Sequence, residues 1–174
     1  CSSAERIYNI TIDNYDGGFQ AGVCLREKGC QSALCISDNE ICVDKERYDG
    51  FCAGFGKEKT DFLLVPMQKE QRLAFYQEHL ELIRNYEAVF AVSDYYAIEL
   101  LRFLTAQGIR IPGDMMMIGF DDTPICEMSS PTLTSVRQDV FMRAQIAVQK
   151  LKELKERQEI ATEIILPVQL IERE

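Results

Sequence analysis

The most constraining feature of this chain is the stretch 88–139, AVFAVSDYYAIELLRFLTAQGIRIPGDMMMIGFDDTPICEMSSPTLTSVRQD, which spells a strand, a helix and a second strand ending in acidic residues. A strand, a helix and a parallel strand make a βαβ unit, and ligands of open α/β sheets sit where the carboxyl ends of such strands meet. Ser93 and Asp94 end the first strand, and Asp121 and Asp122 end the second. The sequence therefore sets polar side chains at a ligand-binding edge.

The same alternation runs through the preceding residues. A β-rich run at 8–13 leads through Asp16-Gly17-Gly18 into a helix that stops at Gly29. Gly18, Ala21, Gly22 and Leu25 line one face of that helix, small enough for it to lie close on a sheet. Strands are expected at 32–37, 62–65, 88–92 and 115–119, with helices near 44–57, 68–84 and 94–107. Tyr48, Phe51, Cys52 and Phe55 in the second helix, and Leu73, Tyr76, Leu80 and Ile83 in the third, repeat at helical spacing and face inward. Five strands alternating with helices imply an α/β fold with a doubly wound parallel sheet and right-handed crossovers. After Asp122 the alternation breaks. Residues 132–137 form a short strand, 139–157 a long helix striped by Val140, Ala144, Ala147, Val148, Leu151 and Leu154, and 164–171 a final strand. Pro167 puts that strand at a sheet edge or bulge.

At 174 residues and 47% apolar composition the chain can bury one well-formed core. A formal net charge of -9 argues against broad contact with phosphate backbone, so the chain is not expected to bind DNA alone. No apolar run reaches the roughly 20 residues of a membrane span, and CSSAERIYN has no signal-peptide core. These features make a cytoplasmic protein the expectation, and the strand that follows so soon after Cys1 reads as a cut within a longer polypeptide. The seven cysteines form no CxxC pair and have one histidine beside them, so they read as reduced thiols, several of them small core residues. No metal or cofactor is expected. Gly50, Gly54 and Gly56 do not follow a strand in dinucleotide-binding form, and His79 stands apart from any serine or cysteine motif.

Four linked motifs resemble the effector-binding core of the LacI/GalR family of bacterial transcription regulators: Phe90-Ala91-Val92-Ser93-Asp94, Gly108 to Asp114, Ile118-Gly119-Phe120-Asp121-Asp122, and Ser130 to Gln138. The resemblance implies a periplasmic-binding-protein-like (type I) fold whose second, carboxyl-terminal lobe comprises 1–130 and 162–174. By the same pattern 131–161 is a crossover segment of a first lobe that, like the DNA-binding headpiece, lies outside this chain. Lys28-Gly29-Cys30 replaces the family's usual Gly-His pair, and Ala144 a frequent glycine.

The resemblance also names residues. Asp121, the first acid of Gly-Phe-Asp-Asp, faces the effector and accepts hydrogen bonds from it, whereas Asp122 is left to a structural role. Arg47, in Arg-x-x-Gly-Phe, reaches into the cleft, where its planar fork can orient a hydroxyl, carboxylate or phosphate. Ser93 lies against the effector or caps the next helix, and Asp94 is an N-cap. Asp13 serves the cleft or the cap of the first helix, Met67 supplies an apolar wall, and Gln138 with Val140 touches effector or only fixes the crossing.

The implied function is ligand sensing: a small polar effector, a sugar by preference, binds between two lobes and shifts operator affinity through the headpiece. A solute-binding protein of a sugar transporter is the alternative; an enzyme has only Asp121, Asp122 and His79 to offer and is not expected. Three structural expectations follow. Arg47 and Asp121 face one crevice. A homodimer forms through the outward face of the fourth helix near Ile98 and Leu101 and through 127–130. The stripe of the long helix is covered by a neighbouring chain or by its own lobe, and the cleft lacks one wall.

Overall fold

The computed structural model describes residues 8–156 and 161–173; Cys1 and Arg157, the last residue of the expected long helix, lie outside them. The main sheet has the order β3-β2-β4-β5-β6-β8. Strands β2 (Ala33–Ser37), β3 (Thr60–Leu64), β4 (Ala88–Ala91), β5 (Met116–Asp121) and β6 (Thr134–Gln138) are parallel, and β8 (Val168–Ile171) closes the β6 edge antiparallel.

Every residue of β2 and β4 is buried, as expected for parallel strands covered on both faces. Their side chains alternate between two cores. Ala33, Cys35, Ala88 and Phe90 join Phe51, Phe55, Phe120 and Val136 on one face. Leu34, Ile36, Val89 and Ala91 join Tyr76, Leu100 and Leu104 on the other. Helices α1 (Asn14–Glu27) and α2 (Cys42–Phe55) cover the first face; α3 (Lys69–Glu78), α4 (Leu80–Ile83) and α5 (Asp94–Ala106) cover the second. The sheet is thus doubly wound. Two further helices follow, the short α6 (Ile125–Met128) and the long α7 (Val140–Lys155).

The small residues of α1 do something other than expected. A Cβ on Gly18 would meet the Arg47 carbonyl oxygen at 2.0 Å, and one on Gly22 the Phe51 oxygen at 2.5 Å. The glycines of α2 reply in kind: Gly50 would strike the Tyr15 oxygen at 1.9 Å and Gly54 the Phe19 oxygen at 2.3 Å. Both helices therefore bring backbone against backbone, and only Gly17 makes the close approach to the sheet, at Phe120.

The first strand also departs from expectation. β1 (Asn9–Ile12) pairs parallel with β7 (Glu163–Leu166) in a separate two-stranded ladder. Pro167, which has no N–H to give a ladder, divides the expected final strand: β7 goes to β1, and β8 to the edge of the main sheet. β6 lies within that sheet, so the segment set apart at 131–161 contributes a strand to the larger body. The expected third helix breaks at His79, whose ring stacks on Phe75 with centroids 3.9 Å apart. Leu73, expected inward on α3, is exposed instead.

α7 rests on the small ladder, with Ile146 against the core and Ala147 and Leu154 half-buried near Ile10 and Ile164. Val140, Val148 and Leu151 are exposed. Ala144 is exposed as well, so the expected cover reaches two of the six stripe residues.

Candidate functional site

All five parallel strands present their carboxyl ends at one edge. There Arg47 arrives from α2 and Asp121 from the end of β5, with Arg47 Nη1 and Asp121 Oδ1 3.9 Å apart. The expected convergence of these two side chains is what the structure shows.

Arg47 is held rather than free. Its Nε donates to Asn14 Oδ1 at 3.0 Å, its Nη1 to the Val92 carbonyl at 2.5 Å, and its guanidinium carbon lies 3.6 Å from the centre of the Phe120 ring. Asn14, itself buried, donates to the Ile12 carbonyl and to Glu46, so its acceptor oxygen stays turned to the arginine. Gly17 leaves the room that Phe120 needs beneath Arg47. Burial lowers the guanidinium's proton affinity, and Asp121 opposes that effect. Nη2 has no hydrogen-bond partner among the described residues, which leaves a planar donor for a ligand.

Asp121 sits at φ 113° and Asp122 at φ 51°, both in the left-handed half of the backbone map that non-glycine residues seldom enter. The twist sends the two carboxylates apart. Asp122 turns inward to Arg137 Nε at 2.6 Å and forms an ion pair with Arg173 at 2.7 Å. Asp121 stays at the edge and accepts from the Gln138 amide at 2.7 Å. Its carboxyl pKa rises to about 6 because burial disfavours the charge; Arg47 pulls it back down and Asp94 adds to the rise.

Asp94 does more than cap a helix. The cap position is Ser93, whose side chain makes no capping bond. Asp94 Oδ2 instead accepts from the Thr123 amide at 2.7 Å and the Thr123 hydroxyl at 2.9 Å, while Oδ1 accepts from Ser135 at 2.5 Å. Ser135 in turn accepts from the Asp122 amide. One buried carboxylate thereby fixes the strained turn that aims Asp121. Gly119 completes the arrangement, since a Cβ there would lie 2.5 Å from Asp94 Oδ1.

The other expected site residues divide. Ser93 is half-buried at the carboxyl end of β4, and Gln138 reaches Asp121. Asp13 caps α1 through the Asp16 amide at 2.8 Å. Met67 is 75% exposed beyond β3, and β2 and β4 stand between it and the strand of Asp121. Val140 is exposed on α7. Asn14 and Asp94 were not marked as site residues by the sequence. The one signal for Asn14 was its place beside Asp13 at the start of a helix.

A cavity of about 510 Å³ also touches Asp94, Asp121 and Thr123, but it runs between α3 and α5 past Leu73, Tyr95 and Phe103. Arg47, Ser93 and Gln138 do not line it. The polar crevice and this largely apolar groove are neighbouring features of different character. Among the described residues no group of three histidine, cysteine or acidic side chains is placed to hold a metal ion, and no helix is long and apolar enough to cross a membrane.

Comparison with known proteins places this geometry. The sequence pattern of the periplasmic binding protein-like domain matches residues 24–174. The transcriptional regulator CelR of Thermobifida fusca is 31% identical over 77% of this chain and 41% of its own length. The sucrose operon repressor of Streptococcus mutans is 28% identical over 98% of this chain and 54% of its own. Among solved structures, a periplasmic binding protein/LacI transcriptional regulator from Alkaliphilus metalliredigens, complexed with D-xylulofuranose, superposes with a TM-score of 0.87 at 31% identity, covering 97% of this chain and 65% of that one. A LacI family regulator from Enterococcus faecalis with bound ribose gives 0.84 at 31%, covering 98% and 64%. The chain spans about half the length of the curated relatives it matches. On the sheet order, the motifs at its carboxyl edge and these matches, the chain belongs to the periplasmic binding protein-like family, among the effector-binding regions of LacI-type regulators.

Proposed function

We propose that this chain is the ligand-sensing part of a cytoplasmic LacI/GalR-type regulator, and that it binds a small neutral carbohydrate at the carboxyl edge of the sheet. The observation that carries this reading is the convergence of Arg47, Asp121 and Gln138, 3.9 Å and 2.7 Å apart, on one open edge. A free guanidinium donor, a carboxylate and an amide suit the mixed donor and acceptor pattern of sugar hydroxyls. The relatives support it: the names of two include a sucrose and a ribose operon repressor, and solved neighbours hold ribose and D-xylulofuranose. Those names also favour a regulator over the transporter solute-binding protein that shares the fold, and over an enzyme.

In this reading the six-stranded sheet is the second lobe. The β1–β7 ladder and α7 lead to the first lobe, which supplies the other wall of the cleft. Effector binding changes how the two lobes meet, and a headpiece outside this chain reads that change as operator affinity.

Calorimetry of the full-length regulator with ribose, xylulose and cellobiose tests the assignment. One of the three should bind, and Asp121→Ala should weaken it by about 1–3 kcal/mol, the usual cost of removing one partner from a buried polar contact. An unchanged affinity in that variant removes Asp121 from the site.

A further inference from the structure

Arg72 on α3 is 1% exposed, the largest fully buried side chain outside the crevice. A guanidinium leaves water at high cost unless its donors are used. Here they are. Nε and Nη2 grip the two carboxylate oxygens of Glu99 on α5, at 2.5 and 3.1 Å. Nη1 donates to two successive carbonyls, those of Pro66 and Met67, just past the end of β3. The rings of Tyr95 and Tyr96, in the first turn of α5, lie 5.4 and 4.8 Å from the guanidinium carbon.

The helix that Arg72 grips also holds Asp121. Its first residue, Asp94, fixes Thr123 and Ser135 around the strained turn. Two segments separated by β2 and β4 along the carboxyl edge, Pro66–Met67 beyond β3 and Asp121–Thr123 at the end of β5, are therefore anchored to one rigid element. We infer that Arg72 is a positioning residue of the effector site, holding the Pro66–Met67 segment and the exposed Met67 side chain in fixed register with Asp121. The inference rests on reading this edge as the effector site.

Stability alone is a poor account of such a pair. Replacing a buried ion pair with apolar residues of similar volume is often neutral or stabilising. Two adjacent carbonyls caught by one nitrogen fix the direction of a loop, which apolar packing does not do.

That contrast supplies the test. In the full-length protein the paired variant Arg72→Met/Glu99→Leu should keep a urea midpoint close to the wild type while its affinity for whichever of ribose, xylulose and cellobiose the wild type binds falls about tenfold, equivalent to about 1.4 kcal/mol. In a Met67→Ala background the same pair should cost much less, because the side chain it positions is gone. The methyl resonance of Met67, assigned through Met67→Leu, should broaden or move toward its random-coil position in the paired variant without any ligand. Glu99→Gln keeps the shape and loosens the grip, so it should show the same changes at smaller size if the paired variant does not fold. A folded variant with wild-type affinity for that sugar, a loss undiminished by Met67→Ala, or an unmoved Met67 resonance each overturns the inference. If the wild type binds none of ribose, xylulose and cellobiose, the carbohydrate reading fails, and the Met67 resonance still decides the role of Arg72.

Discussion

Asp121 bears two strains at once. Its backbone sits at φ 113°, and its carboxylate is largely withdrawn from water, which lifts its pKa from 3.8 to about 6. A raised acid pKa means that the folded chain binds more protons than the unfolded one between these values. The contribution to stability is then present below about pH 4 and lost as pH rises through 6. Asp121→Asn tolerates the same backbone conformation and removes the charge. At pH 7 it should be more stable than the wild type by about 1–3 kcal/mol, and by little at pH 4, when urea midpoints are compared at the two values. A difference that is the same at both pH values would show that the charge is not held at a cost. The same variant should bind sugar less well at pH 7, since strain kept at a ligand contact is the expected trade between stability and function. Asp121 was legible in the sequence because it ends a strand that the alternation locates, and Arg47 only through the family-like Arg-x-x-Gly-Phe motif. Asp94's grip on Thr123 and Ser135 was not, because it spans 29 and 41 residues and replaces a local cap with a tertiary one.

Among elements, the α1–α2 pair is the most exacting contact. At four glycines a Cβ would lie 1.9 to 2.5 Å from a backbone oxygen of the other helix, a clash no rotamer change relieves. Gly50→Ala should therefore force the helices apart and destabilise the chain by about 1–3 kcal/mol or more. The disturbance should carry to Arg47, whose own carbonyl is the atom facing Gly18. Gly113→Ala is the control: its nearest neighbour stands at 3.4 Å, an ordinary contact, so it should be neutral or slightly stabilising. Thermal denaturation of both variants tests the contrast, and equal shifts would remove the interlock from the account. The order of strands and helices was legible because hydrophobic period separates them. The partner of a small-residue face was not, since Gly18 and Gly22 permit a sheet or a helix alike. Pro167 announced an edge, but one proline could not say that its two flanks would join different sheets.

For the whole molecule the open question is what meets the second face. The expected dimer surface at Ile98 and Leu101 is corrected by the structure, which buries both at 4% and 2% exposure in the core between α5 and the sheet. The exposed apolar side chains along the groove that begins beside Asp121 are instead Leu73 of α3, Tyr95 of α5 and Ile125 of α6. Met128, in the expected segment 127–130, is 82% exposed. We propose that this exposed apolar surface meets a twofold copy of the same chain. Sedimentation of the intact regulator at micromolar concentration should give a dimer. Ile125→Glu sets a charge on the exposed rim without touching the buried residues of α5, so it should yield monomers that still bind sugar. The groove adjoins Asp94 and Thr123, which hold Asp121, so dimerisation should also slow hydrogen exchange at the Thr123 amide. A wild-type monomer would refute the twofold assembly, whereas a dimer untouched by Ile125→Glu would keep the assembly and move its interface away from this groove.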